Sequence, residues 1–179
     1  MEKFRYSICL SACVFVLAFF LNACTKGYDA DLYVGDYNFT TTGELNAYNV
    51  IETEGITHPA GLNETFRIKS DSGTAKIFRP TEEPINRLSV LVSYDSGEVV
   101  LIDALVNEAN SIKLLSYSRN VQLFDGNGEN VVYDGMLRFK GEGRIVDGVI
   151  SIKIVPQTTF SVDGKEYGFY SSDISVVAE

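Results

Sequence analysis

The chain is poor in the residues that most often carry chemistry: it has no tryptophan, one histidine and three cysteines. Cys9, Cys13 and Cys24 all precede residue 25, so the rest of the chain has no thiol to form a disulfide, bind a metal or act as a nucleophile. His58 stands alone before Pro59, with no partner imidazole for a zinc site and no serine-hydrolase motif. The lack of tryptophan also disfavours a sugar-stacking surface.

The start of the chain has the pattern of a secretion signal. Lys3 and Arg5 precede an apolar run from Ser7 to Leu21, and Cys24 follows shortly after that run. The run holds about 15 residues, which is short against the roughly 20 that a membrane-spanning helix needs. The residues from Leu21 to Cys24 resemble the lipobox of bacterial lipoproteins. The alternative is an uncleaved N-terminal membrane helix.

The lipobox resemblance implies cleavage before Cys24 and acylation of that cysteine, which then anchors the protein. Several acyl chains, each gaining about 0.8 kcal/mol per buried methylene, hold a protein firmly at a membrane. Thr25 stands where a retention signal for the inner membrane would have aspartate, so the resemblance favours the outer membrane, on its periplasmic face or at the cell surface. Residues 1–23 are therefore predicted to be a signal peptide, 24–31 a lipidated tether and 32–179 a single domain.

Basic residues are few in the predicted mature chain. Residues 24–179 carry 13 Lys and Arg against 23 Asp and Glu, a net charge of −10. Such a surface repels nucleic acid and anionic head groups, which excludes nucleic acid as the main partner. The acidity either keeps the domain in solution or favours a cationic partner.

Hydrophobic residues alternate with polar ones along most of the domain, as in half-buried β-strands. From Gly143 to Val155 two such runs flank Asp147-Gly148, which predicts a hairpin whose two turn residues take positive φ. Asp134-Gly135 lies inside a strand-like run and predicts either a bulge or a turn. Similar turn sequences recur at Asp71-Ser72-Gly73, Asp95-Ser96-Gly97, Asp125-Gly126-Asn127-Gly128 and Asp163-Gly164.

The strand-like runs predict an all-β fold, an antiparallel meander barrel of about 8–10 strands, with a β-sandwich as the alternative. Two stretches break the pattern. Residues 43–62 are polar and contain Pro59, and residues 80–86 contain Pro80 and Pro84. Both are predicted to be loops, and long loops in a compact domain are candidates for a binding mouth.

The first predicted strand begins with a Gly-x-aromatic unit, Gly35-Asp36-Tyr37. This unit resembles the start of calycin barrels, whose lipocalin members have Gly-x-Trp, and the chain is similar to the calycin-like lipoproteins of Bacteroides-type bacteria. The resemblance implies that Gly35 and Tyr37 close one end of a barrel. It also implies that the region of Tyr37 pairs with Ile174 to Val177 or with a neighbouring strand. If the unit is an ordinary strand start, the β-sandwich remains.

Acidic residues offer further candidate chemistry. Asp125 to Glu129 places oxygen ligands at alternate positions, as a calcium loop does, but Asn130 replaces the required glycine and Met136 the bidentate glutamate, so a hairpin tip is preferred. Glu82 and Glu83 are adjacent, unlike a catalytic pair that spans a glycosidic bond. We predict no catalytic residue, metal or cofactor and expect no enzyme, a carboxylate-dependent hydrolase being the least favoured alternative.

Tyrosine and phenylalanine are the abundant candidates for binding, with nine Tyr and seven Phe after residue 23. Tyr48 in a predicted loop, and Tyr167, Phe169 and Tyr170 beside a predicted hairpin, are candidates to line the mouth of the barrel, with core packing as the alternative. We expect a membrane-anchored lipoprotein whose non-catalytic barrel binds a small apolar or envelope-derived ligand, or an envelope protein. The alternative is a β-sandwich module that contacts a protein or glycan through its loops.

Overall fold

The computed structural model describes residues 30–81, 83–107 and 111–179 and shows an almost entirely β protein. The predicted signal peptide, Cys24 and most of the predicted tether lie outside the described residues. No helix in the described ranges is long and apolar enough to cross a membrane. A short 3₁₀ helix, Ala30–Tyr33, precedes twelve strands: β1 Gly35–Thr42, β2 Glu44–Thr53, β3 Ile56–Ile68, β4 Asp71–Phe78, β5 Arg87–Tyr94, β6 Val99–Val106, β7 Ser111–Phe124, β8 Val131–Val146, β9 Val149–Pro156, β10 Phe160–Val162, β11 Lys165–Ser172 and β12 Ile174–Ala178.

Eight of these strands close into an antiparallel barrel in the order β7-β6-β5-β4-β1-β12-β9-β8, with β8 pairing back to β7. The predicted all-β antiparallel barrel is confirmed and is consistent with a calycin-like architecture. The sandwich alternative is wrong because the first and last strands pair: Phe39–Thr42 of β1 lies antiparallel to Ser175–Ala178 of β12. Closure gives every barrel strand two hydrogen-bonded neighbours and removes the open sheet edges.

The tight turns at Asp147-Gly148 and Asp163-Gly164 form as predicted. Asp147 and Gly148 take φ values of 51° and 83°, and Asp163 and Gly164 take 50° and 75°. Two consecutive residues with positive φ make a turn whose twist matches that of the flanking strands, which is why Asp-Gly is favoured there. The longer turn that contains Gly128 joins β7 to β8, and the predicted loop 80–86 lies between β4 and β5.

Residues 43–62, predicted to be a loop, instead form β2 and the first half of β3. Glu54 and Gly55 close this hairpin with φ values of 55° and 75°, the same turn geometry as the Asp-Gly pairs. The prediction failed because β2 has a register shift between Tyr48 and Val50, which interrupts the alternation of apolar and polar residues.

Two predicted turns are also corrected. Asp71-Ser72-Gly73 belongs to β4, where Gly73 pairs with Phe39 of β1, and only residues 69 and 70 separate this strand from β3. Asp134-Gly135 forms neither a bulge nor a turn, since Gly135 pairs in regular register with Val121. Close approach of a neighbouring strand explains the glycine at position 73, because a Cβ there would lie 2.1 Å from the Ser93 carbonyl oxygen.

Four strands lie outside the barrel and form what we call the side sheet, in the order β10-β11-β2-β3. The side sheet joins the barrel where Arg67 and Ile68 of β3 pair with Phe124 and Leu123 of β7. It curves back toward β8, so that the ring centroids of Phe160 and Tyr133 are 5.3 Å apart. Five rings pack together there and are called the aromatic cluster: Phe66, Tyr133, Phe160, Tyr167 and Phe169.

The interior of the barrel is mainly aliphatic. Leu88, Val90 and Val92 of β5 are buried, whereas Leu91 between them faces outward and is half-buried. The neighbouring β6 shows the same alternation, with Ile102 inside and Leu101 outside. Each buried side chain of this size contributes about 1.5–3 kcal/mol relative to exposure, so the closed barrel supplies a large part of the core.

Candidate functional site

One end of the barrel is closed by the 3₁₀ helix. Tyr33 is fully buried, and its hydroxyl oxygen accepts a hydrogen bond of 3.2 Å from the backbone N–H of Ile145 in β8. Arg79 at the end of β4 donates to Asp31 at 2.6 Å, so the helix is held from two sides of the barrel. Burial raises the pKa of the Tyr33 hydroxyl, which therefore stays protonated at neutral pH.

The Gly-x-aromatic unit lies beside this closure. Gly35 begins β1, and Tyr37 is half-buried and donates a hydrogen bond of 3.0 Å to the Tyr33 carbonyl oxygen. The fully buried ring at this end is Tyr33, four residues before the position to which the sequence resemblance assigned the closing aromatic. Tyr37 contacts the closure through its hydroxyl, because β1 turns its ring along the wall of the barrel.

Inside the barrel, the free space is small. An apolar cavity of about 50 Å³ is lined by residues that include Phe39, Ile77, Val92, Ile102, Tyr117 and Ile152. Pockets that enclose a drug-sized ligand measure about 300–1,000 Å³. The interior therefore has room for a small apolar group, but not for a large apolar ligand held entirely within the barrel.

The opposite end of the barrel carries a larger polar opening, which we call the cleft. Its volume is about 330 Å³. It forms where β4 begins, where β5 turns into β6, and where β7 and β8 run on past the barrel. The charged and amide residues that line it are Lys69, Asp71, Glu98, Arg119, Asn120, Gln122 and Asp134.

Arg119 lies at the base of the cleft and is only 2% exposed. Its Nη1 contacts Asp71 Oδ2 at 3.3 Å, and its Cζ lies 4.4 Å from the centroid of the Tyr94 ring. Tyr94 in turn lines the apolar cavity, so the guanidinium and this ring separate the cleft from the barrel interior. A cation over an aromatic face is attracted by about 0.5–2 kcal/mol, which offsets part of the cost of burying the charge.

The Nε–H group of Arg119 is buried and has no hydrogen-bond acceptor among the described residues. A buried donor without an acceptor costs about 1–3 kcal/mol, and more when the group is charged. An arginine that served only the fold would be more stable with a second acceptor on this donor. The missing acceptor therefore calls for an explanation other than the stability of the fold.

The acidic side chains of the cleft are already hydrogen-bonded. Glu98 Oε1 accepts from the backbone N–H of Asn120 at 3.1 Å, and Asp134 Oδ2 accepts from Gln122 Nε2 at 2.7 Å. Asp71 accepts from its neighbour's backbone N–H as well as from Arg119. Lys69 forms no ion pair with the described residues. Among the described residues, the buried side-chain atom of the cleft that lacks a hydrogen-bond partner is therefore the Nε of the cationic Arg119.

Sequence reasoning missed Arg119, although the pattern contains a signal for it. Tyr117, Arg119, Val121 and Leu123 occupy alternate positions of β7 and are all buried. A charged residue at an inward position of an otherwise apolar strand face is the signal, because charge is placed there only when it has a partner or a function.

The predicted binding aromatics are not brought together. Tyr167 and Phe169 belong to the aromatic cluster, and neither lines the cleft. Tyr48 pairs with Gly168 of β11 and its ring lies over that glycine, on the opposite face of the side sheet. The side chain of Tyr170 lies outside what the structure describes.

Tyr167 carries the clearest electrostatic perturbation in the side sheet. Its hydroxyl donates to Glu64 Oε1 at 2.8 Å. Burial, together with this hydrogen bond and the charge of Glu64, raises the pKa of Tyr167 to about 12. Because the Tyr167 hydroxyl already donates to Glu64, this pair supports the fold and the hydroxyl proton is not available to a ligand.

The remaining candidates give no site. Asp125 accepts hydrogen bonds from the Glu129 N–H and from Asn130 Nδ2, and these donors hold its pKa below the usual value while closing the hairpin tip. His58 is exposed on β3. In the part of the chain that the structure describes, no three His, Cys, Asp or Glu residues are grouped so that they could hold a metal ion.

Comparisons with known proteins give no relative: no family model, no curated protein and no solved structure matches the chain.

Proposed function

We propose that the protein is a membrane-anchored lipoprotein whose non-catalytic barrel binds a small envelope-derived ligand at its open end. The observation that supports this proposal is the stacking of three features along the barrel: the cleft of about 330 Å³, the buried guanidinium of Arg119 and the apolar cavity of about 50 Å³. A cleft of that size lies within the range of small-molecule pockets. The bulk of the ligand then occupies the cleft, and only a small apolar part enters the barrel.

Binding at the cleft is tested with the chain from Thr25 to Glu179, which keeps every described strand and the complete core. An apolar reporter dye is titrated and its fluorescence followed. The variant Ser96→Trp fills the cleft, which Ser96 lines, while Ser161→Trp places the same ring on the exposed side of β10. We expect one saturable site in the unmodified domain and in Ser161→Trp, and none in Ser96→Trp.

A surface interaction module is the second candidate, and the nearly filled barrel interior favours it. Val99 and Leu101 are 61% and 62% exposed on the outer face of β6. A dye titration without a saturable phase, in a domain that unfolds cooperatively, would support this second candidate, because only the outer surface and loops would remain for recognition.

The membrane anchor is a separate part of the proposal and rests on the lipobox resemblance. We expect anchoring at the outer membrane, on its periplasmic face or at the cell surface. Cys24→Ala should abolish incorporation of a labelled fatty acid and release the protein from the membrane fraction, with the barrel still folded. Cys13→Ala is the matched control and should leave labelling unchanged. Label retained by Cys24→Ala would disprove the lipoprotein assignment.

A further inference from the structure

We propose that the cleft recognises a carboxylate and that Arg119 is the residue that binds it. This inference rests on the proposed function, since it names the ligand class of the same site. The carboxylate belongs to a small organic acid whose apolar end points toward the barrel interior.

The contacts of the Arg119 guanidinium are the first observation that favours a carboxylate. Asp71 contacts Nη1 at 3.3 Å, so neither Nε nor Nη2 is the atom that forms this ion pair. Nε has no acceptor among the described residues. A carboxylate placed side-on to the edge formed by Nε and Nη2 satisfies Nε–H and forms a bidentate pair, the strongest arrangement an arginine makes with a planar anion.

The hydrogen bonding of the charged side chains in the cleft is the second observation that favours an anionic ligand. Each acidic side chain of the cleft already accepts at least one hydrogen bond, whereas the two cations, Lys69 and Arg119, are unpaired or half-paired. An anionic ligand finds a vacant donor at the base and an ammonium group at the rim.

The class of anion follows from the same surroundings. A phosphate carries close to two negative charges at neutral pH and would lie near Asp71, Glu98 and Asp134, whereas a carboxylate brings only one. The ring of Tyr94 lies directly beneath the guanidinium and lines the apolar cavity. The carboxylate-binding position therefore lies next to the apolar cavity, with the Tyr94 ring between them.

The test compares hexanoate with 1-hexanol on residues 25–179 by calorimetric titration, because the two probes share a tail and differ in charge. We expect hexanoate to bind at least about tenfold more tightly, as a charge-assisted bidentate pair requires. Arg119→Met keeps an unbranched side chain as far as the Nε position, removes the guanidinium and should abolish this preference. Arg67→Met removes an arginine whose partner Glu44 lies on the exposed surface, and should leave the preference unchanged.

A second measurement covers the case in which Arg119→Met does not fold. In the unmodified domain the Nε–H resonance of Arg119, assigned by its loss in Arg119→Lys, should shift on addition of hexanoate and not on addition of 1-hexanol. Equal affinity for the two probes, or a resonance that does not move at saturating hexanoate, overturns the carboxylate assignment while dye binding at the cleft still stands. Failure of both probes and of the dye overturns the proposed function together with this inference.

Discussion

The barrel and the side sheet bury their side chains in different ways. Short aliphatic residues line the barrel and leave a cavity of about 50 Å³ below a buried arginine. In the side sheet, Phe160 packs edge-on to Phe66 at 5.1 Å and stacks on Phe169 at 5.2 Å. Aromatic pairs at such distances contribute about 0.5–1.5 kcal/mol beyond the burial of their area. The rings of the side sheet therefore belong to the stability of the fold, and the candidate binding chemistry belongs to the barrel end that holds Arg119.

The largest expected effect comes from removing the central ring of the aromatic cluster. Phe160 is 3% exposed and contacts four other rings. Phe160→Ala should lower the free energy of unfolding by about 3–5 kcal/mol, as large-to-small core substitutions do. Chemical denaturation measures this value.

The same variant separates stability from binding. Under conditions where Phe160→Ala is folded, its affinity for the reporter dye should equal that of the unmodified domain. Leu101→Ala, at an exposed position of the barrel wall, is the control and should change stability by less than about 0.5 kcal/mol. A folded Phe160→Ala domain that has lost dye binding would place the ligand in the side sheet.

A pair of matched glycine variants tests whether the two regions share their turn chemistry. Gly148 closes a barrel hairpin at φ 83° and Gly164 a side-sheet hairpin at φ 75°. A Cβ at either position meets no atom within 4 Å, so the cost of Val is one of backbone conformation alone. Gly148→Val and Gly164→Val should each lower the free energy of unfolding by about 1–2 kcal/mol. If the losses in the free energy of unfolding differ between the two variants by more than that range, packing and not the turn conformation determines one of the two losses.

The smallest effect is confined to alkaline pH. Tyr167 has a pKa raised to about 12, above the value of about 10 in the unfolded chain. Its contribution is fully present below about pH 10 and is lost as the pH rises toward 12. Tyr167→Phe should therefore flatten the fall in stability over this window and remove one late step from the tyrosinate absorbance titration. Loss of a step near pH 10 in place of a late one would mean that Tyr167 is exposed to solvent.

Several features could be predicted because they depend on a few neighbouring residues. Asp147-Gly148 and Asp163-Gly164 specify their turns locally, since few residues accept two consecutive positive φ values. Alternation with a period of two then assigns the strands between the turns, as in β9, where Ile150, Ile152 and Ile154 are buried. From these two signals an antiparallel all-β fold followed, with a barrel and a sandwich both open.

Other features depend on which strands meet after the chain has closed. Residues 44–53 form a strand although a register shift at Asn49 breaks their pattern, because β3 and β11 on either side supply hydrogen-bond partners for the backbone. The position of the Tyr167 and Phe169 rings also depends on which strands meet in the folded chain. Their spacing indicates only that they share a face, and the curvature of the side sheet turns that face toward Phe66 and Phe160.

The sequence by itself determined the class of fold, the position of most hairpins and the residues that face inward along each regular strand, since these follow from backbone sterics and a period of two. Tertiary structure alone decided that Arg119 lies between a polar cleft and an apolar cavity. It does so because Asp71, Tyr94 and Arg119 come from three different strands, β4, β5 and β7, which only barrel closure brings within contact distance.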